Sequence, residues 1–171
     1  MNLSPIKQTN LYGLENGFDE FVRLYNNKKL PNKILLSGQK GIGKSTLCYH
    51  LINYILSKDE DNSYDLKNYI IHGDNKSFKL ILNNINPNFF LTDIKSDRKF
   101  IDINQIRSLI EYLNKSSFNQ KPKFILIDNI EFLNLNSINA LLKSLEEPGK
   151  NTYFFLIQNN KKTLDTLRSR C

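Results

Sequence analysis

Short continuous apolar runs alternate along this chain with stretches whose apolar residues recur at three- and four-residue spacing. The runs are Ile34-Leu35-Leu36-Ser37, Phe89-Phe90-Leu91-Thr92, Phe124-Ile125-Leu126-Ile127 and Tyr153-Phe154-Phe155-Leu156-Ile157. A half-exposed strand would alternate apolar with polar, so these unbroken runs read as strands buried on both faces. Phe18, Phe21, Val22 and Tyr25 stand at i, i+3, i+4 and i+7, which predicts an amphipathic helix. Leu47, Leu51, Ile52 and Ile55 mark a second helix over 46–56. Asp102 caps a third, whose buried stripe is Ile103, Ile106, Ile110 and Leu113. A fourth begins at Asn136 or Ser137, turns Ile138, Leu141, Leu142 and Leu145 inward, and ends at Pro148-Gly149. A short last helix is predicted over 163–168. Residues 57–68 are polar and read as a surface loop. Residues 69–85 support two readings, a helix through Phe78, Ile81, Leu82 and Ile85, and a short strand at Tyr69-Ile70-Ile71. Strands alternating with helices predict an α/β fold around a parallel sheet.

The first apolar run leads into Gly38-Gln39-Lys40-Gly41-Ile42-Gly43-Lys44-Ser45-Thr46. Gly38, Gly43, Lys44 and Ser45 satisfy G-x-x-x-x-G-K-[ST], a loop whose backbone N–H groups wrap a polyphosphate. A strand before and a helix after give the motif the context it needs, with the helix N-terminus under the phosphates. Lys44 is read as the point charge on the β- and γ-phosphates, and Ser45 as a Mg²⁺ ligand. Gly41 and Thr46 complete the loop residues read as ATP-binding.

At 171 residues the chain has the length of one domain. Its net charge of +7 and pI of about 9.3 suit an acidic partner such as a nucleotide. The basic residues are scattered in pairs, as at Lys28-Lys29 and Lys161-Lys162, so charge alone defines no binding face. Cys48 and Cys171 offer neither metal-ligand spacing nor a disulfide framework, and Cys48 is expected in the core. No secretory pattern opens the chain, and no apolar run approaches the length of a membrane span, so a cytoplasmic location is expected.

A phosphate loop needs an acidic partner for its Mg²⁺ at the end of a neighbouring apolar strand. Asp128, directly after Phe124-Ile125-Leu126-Ile127, fits that role. Hydrolysis also needs a base for the attacking water, and the next residue is Asn129, whose amide accepts no proton at neutral pH. Glu131 is the weaker candidate base. Loss of a general base typically costs about 10²–10⁴-fold in rate, so the sequence implies nucleotide binding with slow turnover or none.

The run Asn139-Ala140-Leu141-Leu142-Lys143-Ser144-Leu145-Glu146-Glu147-Pro148, with Leu167-Arg168-Ser169-Arg170-Cys171 downstream, resembles the bacterial clamp-loader family of AAA+ ATPases, the tau/gamma and delta-prime subunits of DNA polymerase III. Leu11-Tyr12-Gly13 is similar to that family's N-terminal segment near the adenine, and Asn86-Pro87-Asn88 to its element before the second strand. The resemblance implies a P-loop NTPase (AAA+) three-layer sandwich with a five-stranded parallel sheet, residues 1–171 forming one nucleotide-binding domain at the front of a longer chain with lid and collar domains beyond. It implies ATP and Mg²⁺ as cofactors, and as partners the tau/gamma and delta subunits, the sliding clamp and primer-template DNA, with no membrane.

Tau/gamma carries Asp-Glu where this chain has Asp128-Asn129, so within the family the sequence looks like delta-prime. Many members hold zinc with four cysteines after the P-loop helix. The corresponding stretch, 57–90, has none, and no zinc is expected. Arg170 is, by resemblance, an arginine finger reaching a neighbouring subunit's ATP, a role suited to a forked and permanently charged guanidinium. The family's nucleotide-sensing position falls on Gln158 or Asn159. Two other readings stay open: a hydrolysing tau/gamma-like motor subunit using Glu131, and a small-molecule kinase, which would need an arginine-rich lid.

Overall fold

The computed structural model describes residues 4–95, 98–115 and 119–159. The chain divides into two compact units, one made of residues up to 31 with 43–86, the other of 32–42 with 87 onward.

The first unit holds α1 (Glu15–Asn26), α2 (Lys44–Leu56) and α3 (Lys76–Leu82). Phe18 and Val22 are the buried residues of α1. The Phe18 ring stacks on Tyr64 at 5.1 Å and meets Tyr54 and Tyr69 edge-on, arrangements that suit the ring quadrupole. The predicted one-sided stripe understates α2: Cys48, Tyr49, His50 and Asn53 are buried together with Leu47, Leu51, Ile52 and Ile55.

Residues 57–68 depart from a plain surface loop. Ser57 and Tyr64 are buried, and side chains close the segment. Asn53 donates to Asn75 Oδ1 at 2.9 Å, Asn75 donates to the Asn62 carbonyl at 2.8 Å, and the Ser57 hydroxyl accepts from the Tyr64 amide at 3.1 Å. Asn75 also caps α3 by accepting from Phe78 N, and Glu60 accepts from the Ser77 amide and hydroxyl.

The second unit is built on β1 (Lys33–Ser37), β2 (Phe89–Thr92), β3 (Lys123–Ile127) and β4 (Thr152–Gln158), all parallel, in the order β1-β4-β3-β2. All five residues of β3 are buried, as the unbroken apolar run predicts. Ile125, Ile127, Phe154 and Leu156 form a core with Ile106 and Leu109 of α4 (Ile103–Asn114) and Ile138, Leu141 and Leu145 of α5 (Leu135–Glu146).

The α/β class and the parallel sheet are as expected. The sheet has four strands among the described residues, not five. The fifth candidate, Tyr69-Ile70-Ile71, makes only single antiparallel bridges from Ile70 to Asn10 and Asp65. Tyr69 sits at φ 55°, outside the extended region, and Asp65 gathers the Lys67 and Asn68 amides into a turn. The fully buried residues of α4 are Ile106 and Leu109, with Ile110 and Leu113 half-buried at the margin. The α5 cap is Asn134, which accepts from Ser137 N at 2.8 Å, so the helix begins earlier than Asn136. Cys48 is buried, as expected. No helix among the described residues is long and apolar enough to cross a membrane. The helix predicted over 163–168 lies outside the described residues.

Candidate functional site

Four parallel strands bring their carboxyl ends to one edge of the second unit's sheet, and Gly38 leaves β1 at that edge. The Gly38 amide donates to the carbonyl of Gln158, the last residue of β4, at 3.3 Å. Gln158 is 2% exposed. Further along the loop, Gly41 and Gly43 both take φ 91°, a region that side chains with a Cβ rarely enter. Positive-φ glycines turn successive backbone N–H groups inward, the arrangement that makes a concave anion site. Gly43 is the N-cap of α2 and gives its first turn no side-chain cap. A Cβ on Gly43 would stand 2.6 Å from Leu14 Cδ1, so the N-terminal segment packs directly on this glycine. Lys44, Ser45 and Thr46 follow as the first residues of α2, with Lys44 only 8% exposed.

Along the same sheet edge, the second unit gathers Asp93, Asp128, Asn129, Glu131 and Asn159. Asp128 directly follows β3, and its amide donates to the Thr92 carbonyl at 2.9 Å. Its Oδ1 accepts from the Asn129 amide at 2.7 Å and from Asn159 Nδ2 at 3.2 Å. Asn129 is left-handed, at φ 56° and ψ 46°, a conformation asparagine tolerates. Its side chain is used at both ends: Nδ2 donates to Asp93 Oδ1 at 2.7 Å, and Oδ1 accepts from Asn159 Nδ2 at 2.9 Å. Both carboxylate oxygens of Glu131 accept from the Asn159 amide at 3.3 Å. The structure thus brings Asp128, Asn159 and Glu131 together. Arg170 lies outside the described residues.

Asp93 is the residue that sequence reasoning passed over. It follows β2 as Asp128 follows β3, and an aspartate one residue beyond an apolar run was the available signal. Burial pushes the Asp93 carboxyl above the usual range and the nearby Asp128 charge adds to this, while the bonds from Asn129 and the Ile94 amide and the charge of Lys40 pull it down. A carboxylate such as that of Asp128 is a hard oxygen donor of the kind that suits Mg²⁺, and a loop with positive-φ glycines suits a polyphosphate, so each fits its part of a magnesium nucleotide.

Residues 13–171 match the family model described as DNA polymerase III, delta subunit. The chain is 32% identical over 155 residues to the DNA polymerase III subunit delta' of Buchnera aphidicola subsp. Schizaphis graminum, covering 90% of this chain and 45% of that one. It is also 32% identical over 145 residues to the gamma subunit of the same organism, covering 84% and 37%. A DNA polymerase III gamma subunit-related protein from Thermotoga maritima shares the fold, with a TM-score of 0.56 at 20% identity over 92% of this chain and 42% of that one. The chain spans less than half the length of each of these relatives.

Proposed function

The chain belongs to the DNA polymerase III delta subunit family, and from that premise we propose that it is the nucleotide-binding part of a delta-prime-like clamp-loader subunit. In this reading residues 1–171 bind ATP with Mg²⁺ and work with tau/gamma and delta subunits to load a sliding clamp on primer-template DNA. The observation that carries it is the intact phosphate loop, with Gly41 and Gly43 at φ 91° leading directly into the N-terminus of α2. Gly38, Gly41, Gly43 and Thr46 line the phosphates, Lys44 meets their charge, and Ser45 and Asp128 hold the metal. Magnesium would neutralise phosphate charge there. Asn159 stands at the nucleotide-sensing position, in hydrogen-bond contact with Asp128.

The reading includes weak intrinsic turnover. Asn129 stands where a base is wanted, and its amide is engaged by Asp93 and Asn159. Glu131, the other candidate, accepts from a backbone amide.

Calorimetry on the full-length protein tests the proposal. Mg-ATP should bind, and Lys44→Ala should weaken it by roughly 10–100-fold, the loss expected for a charge-assisted contact of about 1.5–3 kcal/mol. Absence of uptake by the unaltered protein overturns the reading. Arg170 acts in trans on this account. Arg170→Ala should leave nucleotide uptake by this protein intact and lower the ATPase of the assembled loader, where a finger contributes about 10³–10⁵-fold in the best-measured GTPase case. An unchanged rate in the assembly removes Arg170 from the mechanism.

A further inference from the structure

Asp93, Asn129 and Asn159 leave three neighbouring strands, β2, β3 and β4, and one line of hydrogen bonds crosses all three ends. An asparagine side chain offers one accepting oxygen and one donating nitrogen, so a chain of them has a direction. Asp93 sets that direction. Its Oδ1 accepts from the Ile94 amide at 2.6 Å, which keeps an acceptor oxygen facing Asn129 and turns Asn129 Nδ2 toward it and Asn129 Oδ1 toward Asn159. Asn159 must then present Nδ2, and that nitrogen reaches both Asn129 Oδ1 and Asp128 Oδ1. Reversal of either amide would place oxygen against oxygen at 2.7–3.2 Å. Asp93 is itself held from behind. Its carbonyl accepts from Gln105 Nε2 at 2.7 Å, and Gln105 is a member of the capping box that opens α4.

We propose that Asp93 is a positioning residue for Asp128, fixing through Asn129 and Asn159 the polarity of a relay that holds the Asp128 carboxylate in one orientation. The proposal rests on the reading of Asp128 as a ligand of the nucleotide's magnesium. It assigns Asp93 no contact with the metal. What matters at position 93 is an acceptor oxygen, and the charge is dispensable.

Three variants of the full-length protein test this, each checked for a cooperative melt. Asp93→Ala removes the acceptor. Asp93→Asn keeps an acceptor oxygen. Asn129→Gly deletes the middle of the relay while suiting its φ of 56°, and stands in should Asp93→Ala fail to fold. The first readout is hydrogen exchange at the side-chain amides of Asn129 and Asn159 by ¹⁵N NMR. The second is the ratio of ATP affinity with magnesium to that without it. Asp93→Ala and Asn129→Gly should deprotect the Asn159 amide and cut that ratio by about 10–100-fold, as loss of a partner behind a metal ligand does. Asp93→Asn should stay near the parent on both readouts.

Protected amides and an unchanged ratio in Asp93→Ala overturn the proposal. A loss in Asp93→Asn as large as in Asp93→Ala also overturns it, because the charge would then be what acts. Should the parent protein bind no nucleotide, the functional reading falls and the role of Asp93 falls with it. The exchange measurement still reports whether the relay exists, so the two failures are told apart.

Discussion

Gly43 shows how one residue fixes the phosphate loop. At φ 91° it holds the chain in a conformation that costs a residue with a Cβ about 1–3 kcal/mol. A methyl group there would also meet Leu14 Cδ1 at 2.6 Å. These costs separate by experiment, because the leucine tip moves and the backbone does not. Gly43→Ala is expected to lower stability by about 1–3 kcal/mol in urea denaturation. Adding Leu14→Ala should fail to restore it, since the strained φ remains. Recovery in the double variant would make the leucine contact the main cause. The glycine was legible in the sequence because the motif demands it, whereas Leu14 was not, since no local pattern says which distant side chain closes on a loop. Asp128 was legible after four apolar residues. Asp93 escaped notice because Thr92, a polar residue, separates it from its run. The pairing of Asn129 with Asp93 and Asn159 joins three strand ends, and it follows from strand order, which no local pattern states.

At the level of single elements, α4 carries a fixing device at each end. Asp102 accepts from Asn104 N at 2.7 Å and Gln105 N at 3.1 Å, and Gln105 Oε1 accepts from the Asp102 amide at 3.2 Å. At the other end the Lys123 ammonium donates to the carbonyls of Tyr112, at 3.2 Å, and Lys115, and stands 5.0 Å over the Tyr112 ring. Burial pushes the Lys123 pKa down, and donating to carbonyls at a helix C-terminus offsets part of that cost. Asp102→Ala should cost about 1 kcal/mol. Lys123→Met, which takes a charged donor from two carbonyls while the Tyr112 carbonyl keeps the Lys115 amide, should cost about 1–3 kcal/mol. A helix of 12 residues is about 18 Å long, so the two losses should add in the double variant within about 0.5 kcal/mol. A larger departure in urea denaturation would show that α4 frays as a unit. The Asp102 cap was legible from residue type and spacing. Lys123 was not, because a lysine before an apolar strand reads as a solvated flank. The Ile stripe located α4 but missed Leu109, since the buried face is decided by what packs on it.

Across the whole molecule, the second unit follows from its apolar runs and the first does not. Parallel strands announce themselves through unbroken hydrophobicity, so the four strands were legible to within a residue at each end, although five were expected. The first unit closes residues 57–75 through Asn53, Asn62, Asn75, Ser57 and Glu60, side chains whose polarity reads as solvent exposure. His50 belongs to the same system. It is fully buried, with Nδ1 2.8 Å from the Tyr64 hydroxyl and Nε2 3.2 Å from the Gln8 carbonyl, so it ties two segments to α2. Burial pushes its pKa down to about 4, against an ordinary value of 6.5, with the Gln8 carbonyl opposing the shift. The unfolded chain therefore binds the extra proton more readily between those values. The contribution is complete above pH 6.5, falls as the pH drops, and is spent near pH 4, a loss of roughly 3 kcal/mol. Stability in urea should decline over that window, and His50→Gln should remove most of that dependence. The unit structure adds a spatial expectation. Amide exchange at Leu11, Tyr64 and Ile71, corrected for the intrinsic effect of pH, should speed up between pH 7 and 5, while β3 and β4 amides stay slow because their protection comes from an apolar core with no titrating group. Equal acceleration in both units would mean that the acid-sensitive step is global unfolding, and that the histidine tie does not open on its own.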